Sequence, residues 1–332
     1  MHPALPLISL AVWLQSPSNA PRFKDIGINL YVGLWQGPTE EQLAALKAAG
    51  MPVICDQNEI GLRHKDDPTI LAWMHGDEPD NAQSLPDGRG YGPPIPPEKI
   101  SEDYLLLRKK DPRRPVFLNL GQAVAWDAWY GRGERTNHPE DYPNYAKGCD
   151  IASFDIYPAC HDHADVAGKL WYVAYGVRRL RAWVQDKKPV WACIETTRIS
   201  NLERKASPAQ VRAEVWMALI SGARGILYFS HQFKPEFIEA GLLADPAMAE
   251  ELSRTNFEIT KLAEVLASPT IASGGEVGPG KPESGVLWMK KRSGAKTYLF
   301  AVEPFGRQTE SRLEGKVLRF QPYEVKILPA QR

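Results

Sequence analysis

Most of the features that would assign this chain to a class at a glance are missing from it. Net charge is absent: 40 Lys and Arg balance 40 Asp and Glu over 332 residues, so no general field favours nucleic acid or an anionic membrane surface. No apolar run approaches the ~20 residues needed to cross a bilayer. Cysteine is scarce, and Cys55, Cys149, Cys160 and Cys193 match neither a disulfide framework nor a zinc site by spacing. Cys149 and Cys160 flank one predicted strand, which would hold them too far apart to pair. The run Cys160-His161-Asp162-His163 has no second ligand cluster to complete a metal site, so neither metal nor other cofactor is expected. No glycine-rich phosphate loop follows an early strand, since Gly33-Leu34-Trp35-Gln36-Gly37 is neither a dinucleotide fingerprint nor a P-loop. Internal repeats and low-complexity tracts are also lacking.

What the chain does have is a stretch around which the rest is organised, Ile70-Leu71-Ala72-Trp73-Met74-His75-Gly76-Asp77-Glu78-Pro79-Asp80. It opens as a short buried strand and ends in two adjacent acids, a proline and a third acid. A second stretch, Pro189-Val190-Trp191-Ala192-Cys193-Ile194-Glu195-Thr196-Thr197, is again a buried strand running into one carboxylate. Acids delivered at the C-terminal tips of strands are the layout of an α/β catalytic face.

Strand and helix signals alternate along the chain. Strands are expected over 7–15, 28–35 and 52–56, in the stretch opening at 70 and closed by its acids, and over 116–120, 150–157, 189–195 and 225–229. Between them come a helical turn at 21–25, a helix capped by Thr39-Glu40-Glu41-Gln42 and stopped at Gly50, and helices over 100–110, 170–185, 208–221 and 248–266. Residues 7–15 read as the first strand rather than the core of a leader, because residues 1–20 carry no basic segment. Location stays open, and a secreted or periplasmic protein whose leader was removed upstream fits the sequence. Eight strand–helix units predict a (β/α)8 TIM barrel over 1–268; the missing phosphate loop argues against a doubly wound sheet. Gly274, Gly275, Gly278 and Gly280 then form a linker. Short alternating strands at 285–290, 297–303, 316–320 and 323–328 make a small antiparallel β domain over 269–332.

On a barrel the working face is built from strand C-termini and the loops after them. That face would carry Gln15, Asn29, Tyr31, Trp35, Asp56, His75, Asp77, Glu78, Asn119, Asp155, Tyr157, Glu195 and His231. Acids, amides, histidines and aromatics with few lysines or arginines suit a neutral polyhydroxylated ligand, because amides and carboxylates match hydroxyl groups. Trp35, Trp73, Trp126 and Trp129 are candidate platforms for stacking sugar rings. A carbohydrate is therefore the expected partner, with no nucleic acid and no membrane; the oligomeric state is not legible.

A glutamate closing strand four and another closing strand seven resembles clan A of the glycoside hydrolases, the retaining (β/α)8 glycosidases. The resemblance rests on topology and those two positions, across residues 7–268. It implies that Glu78 is the acid/base, that Glu195 is the nucleophile of a double displacement, and that Tyr157 hydrogen-bonds the nucleophile. Their carboxyl groups would then face each other ~5 Å apart across the barrel mouth. Crowding by Asp77 and Asp80 would help Glu78 keep its proton. One position departs from the clan, which usually has asparagine before the acid/base where this chain has Asp77. The Asp77-Glu78 pair is instead similar to that of β-N-acetylhexosaminidases, in which the substrate's own acetamido group is the nucleophile. A barrel that binds glycans without cleaving them is the alternative from a different class.

Overall fold

The computed structural model describes residues 4–330; residues 1–3 and 331–332, the outer ends of the two expected domains, lie outside it. Eight parallel strands close into a barrel in chain order: β1 (Ser9–Trp13), β2 (Leu30–Val32), β3 (Val53–Asp56), β4 (Ile70–Met74), β5 (Val116–Leu120), β6 (Ile151–Asp155), β7 (Val190–Glu195) and β8 (Gly225–Phe229), with β8 pairing back onto β1. The helices around them are α1 (Ala20–Asp25), α2 (Glu40–Ala49), α3 (Glu59–Arg63), α4 (Pro97–Lys110), α5 (Tyr142–Tyr145), α6 (Trp171–Trp183), α7 (Pro208–Ile220), α8 (Gly241–Ala244) and α9 (Pro246–Ala267). The TIM barrel expected from the alternation of signals is the fold.

Local chemistry sets the helix ends. Thr39 and Gln42 form a reciprocal capping box on α2, and Gly50 ends it in the left-handed conformation at φ 60. Ser207 and Gln210 do the same at the start of α7, with Pro208 in its first turn. Between β5 and β6 the aromatic, glycine-dotted segment folds as short turns and the four-residue α5 rather than a full helix.

Every barrel strand is a short buried run, and its side chains alternate between two cores. Trp191 and Cys193 of β7 belong to the interior cluster with Phe117 and Ile151, whereas Val190, Ala192 and Ile194 pack under the helices. The interior is plugged by Trp191 and Phe117, edge to face at 5.4 Å. Gly225 sits against that indole, where a Cβ would come within 2.3 Å of the ring.

After α9 the chain enters β9 (Thr270–Gly274), β10 (Leu287–Ser293), β11 (Lys296–Val302), β12 (Thr309–Leu313), β13 (Lys316–Phe320) and β14 (Val325–Pro329). Four of these form an antiparallel sheet in the order β14-β11-β10-β9, and β12 and β13 make a separate hairpin. Strands β9 and β12 have no clear apolar alternation, which is why sequence pattern passes over them. The appendage docks on α7 through Trp216 stacked on Phe300 at 5.6 Å and 18°. Lys291 donates to the carbonyls of Leu266 and Ser268 at 2.8 and 2.7 Å at the end of α9. Burial pushes its ammonium down to about 8. All four cysteines are buried and free. Among the described residues no helix is long and apolar enough to cross a membrane.

Helix α6 packs on β6 through a contact that tolerates no added carbon: a Cβ on Gly176 would lie 2.3 Å from the Phe154 ring. Gly→Ala inside a helix ordinarily stabilises. Gly176→Ala should instead cost about 1–3 kcal/mol through overpacking, visible as a lower Tm; an unchanged or higher Tm would refute this packing account.

Candidate active site

Glu78 stands just past the tip of β4 and carries an unusual backbone. Its φ is 43, in the left-handed region, although it is not glycine and precedes Pro79. Strained backbone of this kind persists only where the surroundings over-determine it. The surroundings here are hydrogen bonds from the Glu78 amide to Asn119 O at 3.2 Å and from the Asn81 amide to Glu78 O at 3.0 Å. The next turn is clamped as well. Asp80 is fully buried, accepting from the Gly121 amide at 2.9 Å and the Tyr142 hydroxyl at 2.7 Å, while Arg132 donates to its carbonyl at 3.1 Å.

The Glu78 side chain is held through Oε2, to which Asn81 Nδ2 donates at 2.9 Å, and the side-chain oxygen of Asn81 in turn accepts from the Trp129 indole at 2.9 Å. Its other neighbour is the carboxyl of Asp155 at the tip of β6, close enough to act on its ionisation. Two carboxyl groups so placed can bond only by sharing a proton. Burial first, then the charges of Asp155 and Asp77, hold Glu78 well above the usual carboxylate range. Asp155 is pushed up to about 7, by burial and then by Asp77. Tyr157 donates to Asp155 Oδ2 at 3.2 Å and lies 3.5 Å from the Cys193 sulfur.

Asp77 is aimed by Asn119, whose Nδ2 donates to its Oδ1 at 3.0 Å. Its carboxyl opens to solvent in the cleft, yet the protein around it excludes enough water to push it up to about 6. Asp56, at the tip of β3, is pushed up to about 6 by burial as well.

Beside this cluster lies a cleft of 840 Å³ over the ends of β1, β2 and β8, floored by Trp13 and Gln15 and bordered by Asp77, His231 and Glu239. Trp35, Phe229, Phe233 and Phe237 wall it. Among the described residues that line it there is no lysine or arginine.

Several residues assigned to the mouth from the sequence lie elsewhere. Glu195 is fully buried and does not line the cleft. Oε1 accepts from the Ala159 amide at 2.6 Å, and the carboxyl lies against that of Glu214 of α7. The facing pair of Glu78 and Glu195 is therefore not formed, and Tyr157 bonds Asp155 instead of Glu195. Asn29 precedes β2 at the opposite end of the barrel, pairing with the backbone of Leu10 and Ile8 at 2.9 and 3.3 Å. Tyr31 faces the helices and packs edge-on against Phe23. His75 is buried with Nε2 2.7 Å from Gly148 O, its pKa lowered by burial. Trp73 is in the outer core, donating to Asp111 at 3.2 Å, and Trp126 packs between His161 and His163. Trp35, Asp77 and His231 do line the cleft, and Asn119, Asp155 and Tyr157 adjoin it. Sequence reading missed Asn81, Glu239, Phe233 and Phe237; the last three sit on a loop that doubles back after β8, a turn no pattern announces.

No family model and no curated sequence matches the chain. Its fold matches solved glycosidases. An endo-β-1,4-mannanase from Thermotoga petrophila aligns over 98% of both chains at 11% identity with a TM-score of 0.53. A β-galactosidase from the haloarchaeon Halorubrum lacusprofundi aligns over 81% of this chain at 12% identity and a TM-score of 0.54. A cold-adapted β-galactosidase from Rahnella sp. R3 aligns over 83% at 13% identity and a TM-score of 0.55. The chain spans 59% of the length of each of the two galactosidases. What is shared at this identity is the (β/α)8 architecture, the one implied by the resemblance to clan A.

The buried Glu195–Glu214 pair makes a stability prediction. Burial pushes Glu195 up to about 7 from an ordinary 4.5, and Glu214 is also raised, by burial and then by Glu195. Protons stay bound in the fold above the pH at which the unfolded chain releases them, so stability falls as pH rises from about 4.5 through about 7. Glu214→Gln removes one of the two ionisations and supplies a donor to Glu195. Thermal unfolding at pH 5 and pH 8 should show a smaller loss of Tm in the variant than in the parent; an equal or larger loss would contradict the shared proton.

Proposed function

We propose that this protein is a glycoside hydrolase acting on a glycan without negative charge, with Glu78 donating a proton to the leaving oxygen. One observation carries the reading: Glu78 is a carboxyl locked by its backbone and by Asn81, beside Asp155, at the edge of an aromatic-walled cleft free of cations. Glycoside cleavage needs one carboxyl that is still protonated near neutral pH and a second that is ionised. Asp155 supplies the negative neighbour that keeps the proton on Glu78. Likeness of fold to a mannanase and to galactosidases agrees with a carbohydrate substrate.

Double displacement through Glu195 finds no support, because that carboxyl would have to leave Ala159 and Glu214 and turn into the cleft. The accessible carboxylate beside Glu78 is Asp77, oriented by Asn119. It is the group placed to act on the far side of the sugar, either by activating water or by orienting a 2-acetamido group that attacks in place of an enzyme nucleophile. The aim given to Asp77 by Asn119 favours the second route on 2-acetamido sugars. A glycan-binding barrel without catalysis would leave this strained acid without a task.

Aryl glycosides with and without a 2-acetamido group, each with good and poor leaving groups, test the proposal. Glu78→Gln should lower kcat/KM by ~10²–10⁴ on poor leaving groups and less on activated ones. Asp77→Asn should remove most activity on 2-acetamido substrates if the acetamido group attacks. Glu195→Gln should keep kcat within about tenfold of the parent, because buried hydrogen bonds alone are altered. A loss in Glu195→Gln as deep as in Glu78→Gln would restore the double displacement and overturn the assignment of Asp77. No turnover of any substrate, together with glycan binding, would leave the barrel a lectin.

A further inference from the structure

The cleft beside Asp77 is unbalanced in its hydrogen bonding. Gln15 is 1% exposed, and its amide nitrogen is committed to Glu239 O at 2.9 Å and His231 Nε2 at 3.2 Å. A carbonyl partner fixes the nitrogen as the donor, so His231 Nε2 accepts and the ring proton sits on Nδ1. Gln15 Oε1 is left without any partner. Glu239 accepts from the Ser16 amide through Oε1, and no side-chain donor among the described residues reaches its Oε2. Asp77 adds a further carboxylate. Gln42, which also lines the space, is already spent: it accepts from Thr39 N and donates to Trp35 O, both at 2.9 Å. The cleft thus sets acceptors from Gln15, Glu239 and Asp77 against neutral donors only, the His231 ring and the indoles of Trp13 and Trp35, leaving a surplus of anionic acceptors that no cationic side chain meets. Lys234, on the same loop as Glu239, is exposed and does not line it.

The walls point to a flat ligand. Trp35, Phe233 and Phe237 are 69, 46 and 62% exposed, a cost in water that is recovered when a ring or a cation lies against them. His231 and Phe233 are parallel within 9° with centroids 6.0 Å apart, and Phe233 is 5.8 Å from Phe237.

We infer that this cleft, beside the sugar on which Asp77 acts, is a subsite for a sugar bearing a protonated amine, recognised by Glu239 and Gln15 Oε1 and stacked on Trp35 and the two phenylalanines. An ammonium group brings three donors and no acceptor, which matches the surplus. The charge is drawn by two carboxylates with no competing cation. A neutral sugar satisfies the acceptors in part, and a uronate is repelled. The inference rests on the reading of the cleft as a glycan site and sharpens its ligand.

The full-length Glu78→Gln protein, in which cleavage of unactivated probes is slowed, serves for titration by tryptophan fluorescence at low salt and slightly below neutral pH. Three tetrasaccharide probes suffice: β-1,4-glucosamine, its hydroxyl counterpart cellotetraose, and galacturonate. The glucosamine tetramer should bind at least about tenfold tighter than cellotetraose, about 1.4 kcal/mol, with galacturonate weakest. In a Glu78→Gln/Glu239→Gln double variant the advantage should shrink to within about threefold, as it should on raising salt. Trp35→Ala should weaken all probes alike. Equal binding of the amine and cellotetraose, or a preference untouched by Glu239→Gln, would overturn the inference. If the parent still cleaves neutral aryl glycosides, the hydrolase reading survives that result; if no probe binds and nothing is cleaved, both fall.

Discussion

A closed ring of eight parallel strands leaves each side chain two choices, the barrel interior or the layer under the helices, and the choice alternates with every residue. That parity governs the site. Asn119 and Asp155 share their faces with Phe117 and Ile151, so both emerge at the mouth. Tyr31 and Trp73 have the opposite parity and are spent in the outer core, however suitable their chemistry. At the strand tips the rule weakens: Glu195, the last residue of β7 and paired with Phe229, has the parity of Trp191 and Cys193 and yet lies against Glu214 of α7, while Glu78 stands beyond the last pair of β4.

Two carboxyl pairs show what that freedom produces. Glu78 and Asp155 meet at the rim, where Asn81, Tyr157 and solvent in the cleft offset the crowding of acids. Glu195 and Glu214 lie together in the protein interior, with Glu195 Oε2 and both Glu214 oxygens lacking a donor. The first pair keeps a proton within reach of a ligand. The second keeps one where no ligand can take it, and it costs stability as soon as the proton leaves.

The barrel was legible because its strands are short apolar runs with acids at their tips, and because capping boxes and Gly50 mark helix ends plainly. Glu78, Asp77, Asn119, Asp155 and His231 were legible as strand-end residues by the same logic. Glu195 was misplaced because spacing along a strand carries no information about the rotamer of its last residue, and Glu214, the neighbour it lies against, sits in a helix nineteen residues later (Glu195 to Glu214). Asn29 was misplaced because strand β2 begins one residue after it, putting it at the closed end of the barrel. Glu239 and the phenylalanines escaped notice because they owe their position to the bridge between Gln232 and Ile238, a tertiary contact without local signature.

The indole of Trp129 reaches Glu78 only through Asn81, yet it belongs to the segment between β5 and β6, which is built of turns. Acid strength at Glu78 and order in that segment are therefore two readings of a single free energy. By reciprocity, whatever steadies the Trp129 loop must bias the protonation of Glu78, and each loss of the proton must feed back on the loop by the same amount. Such a coupling would let any ligand that orders the loop alter the protonation of Glu78 without touching it.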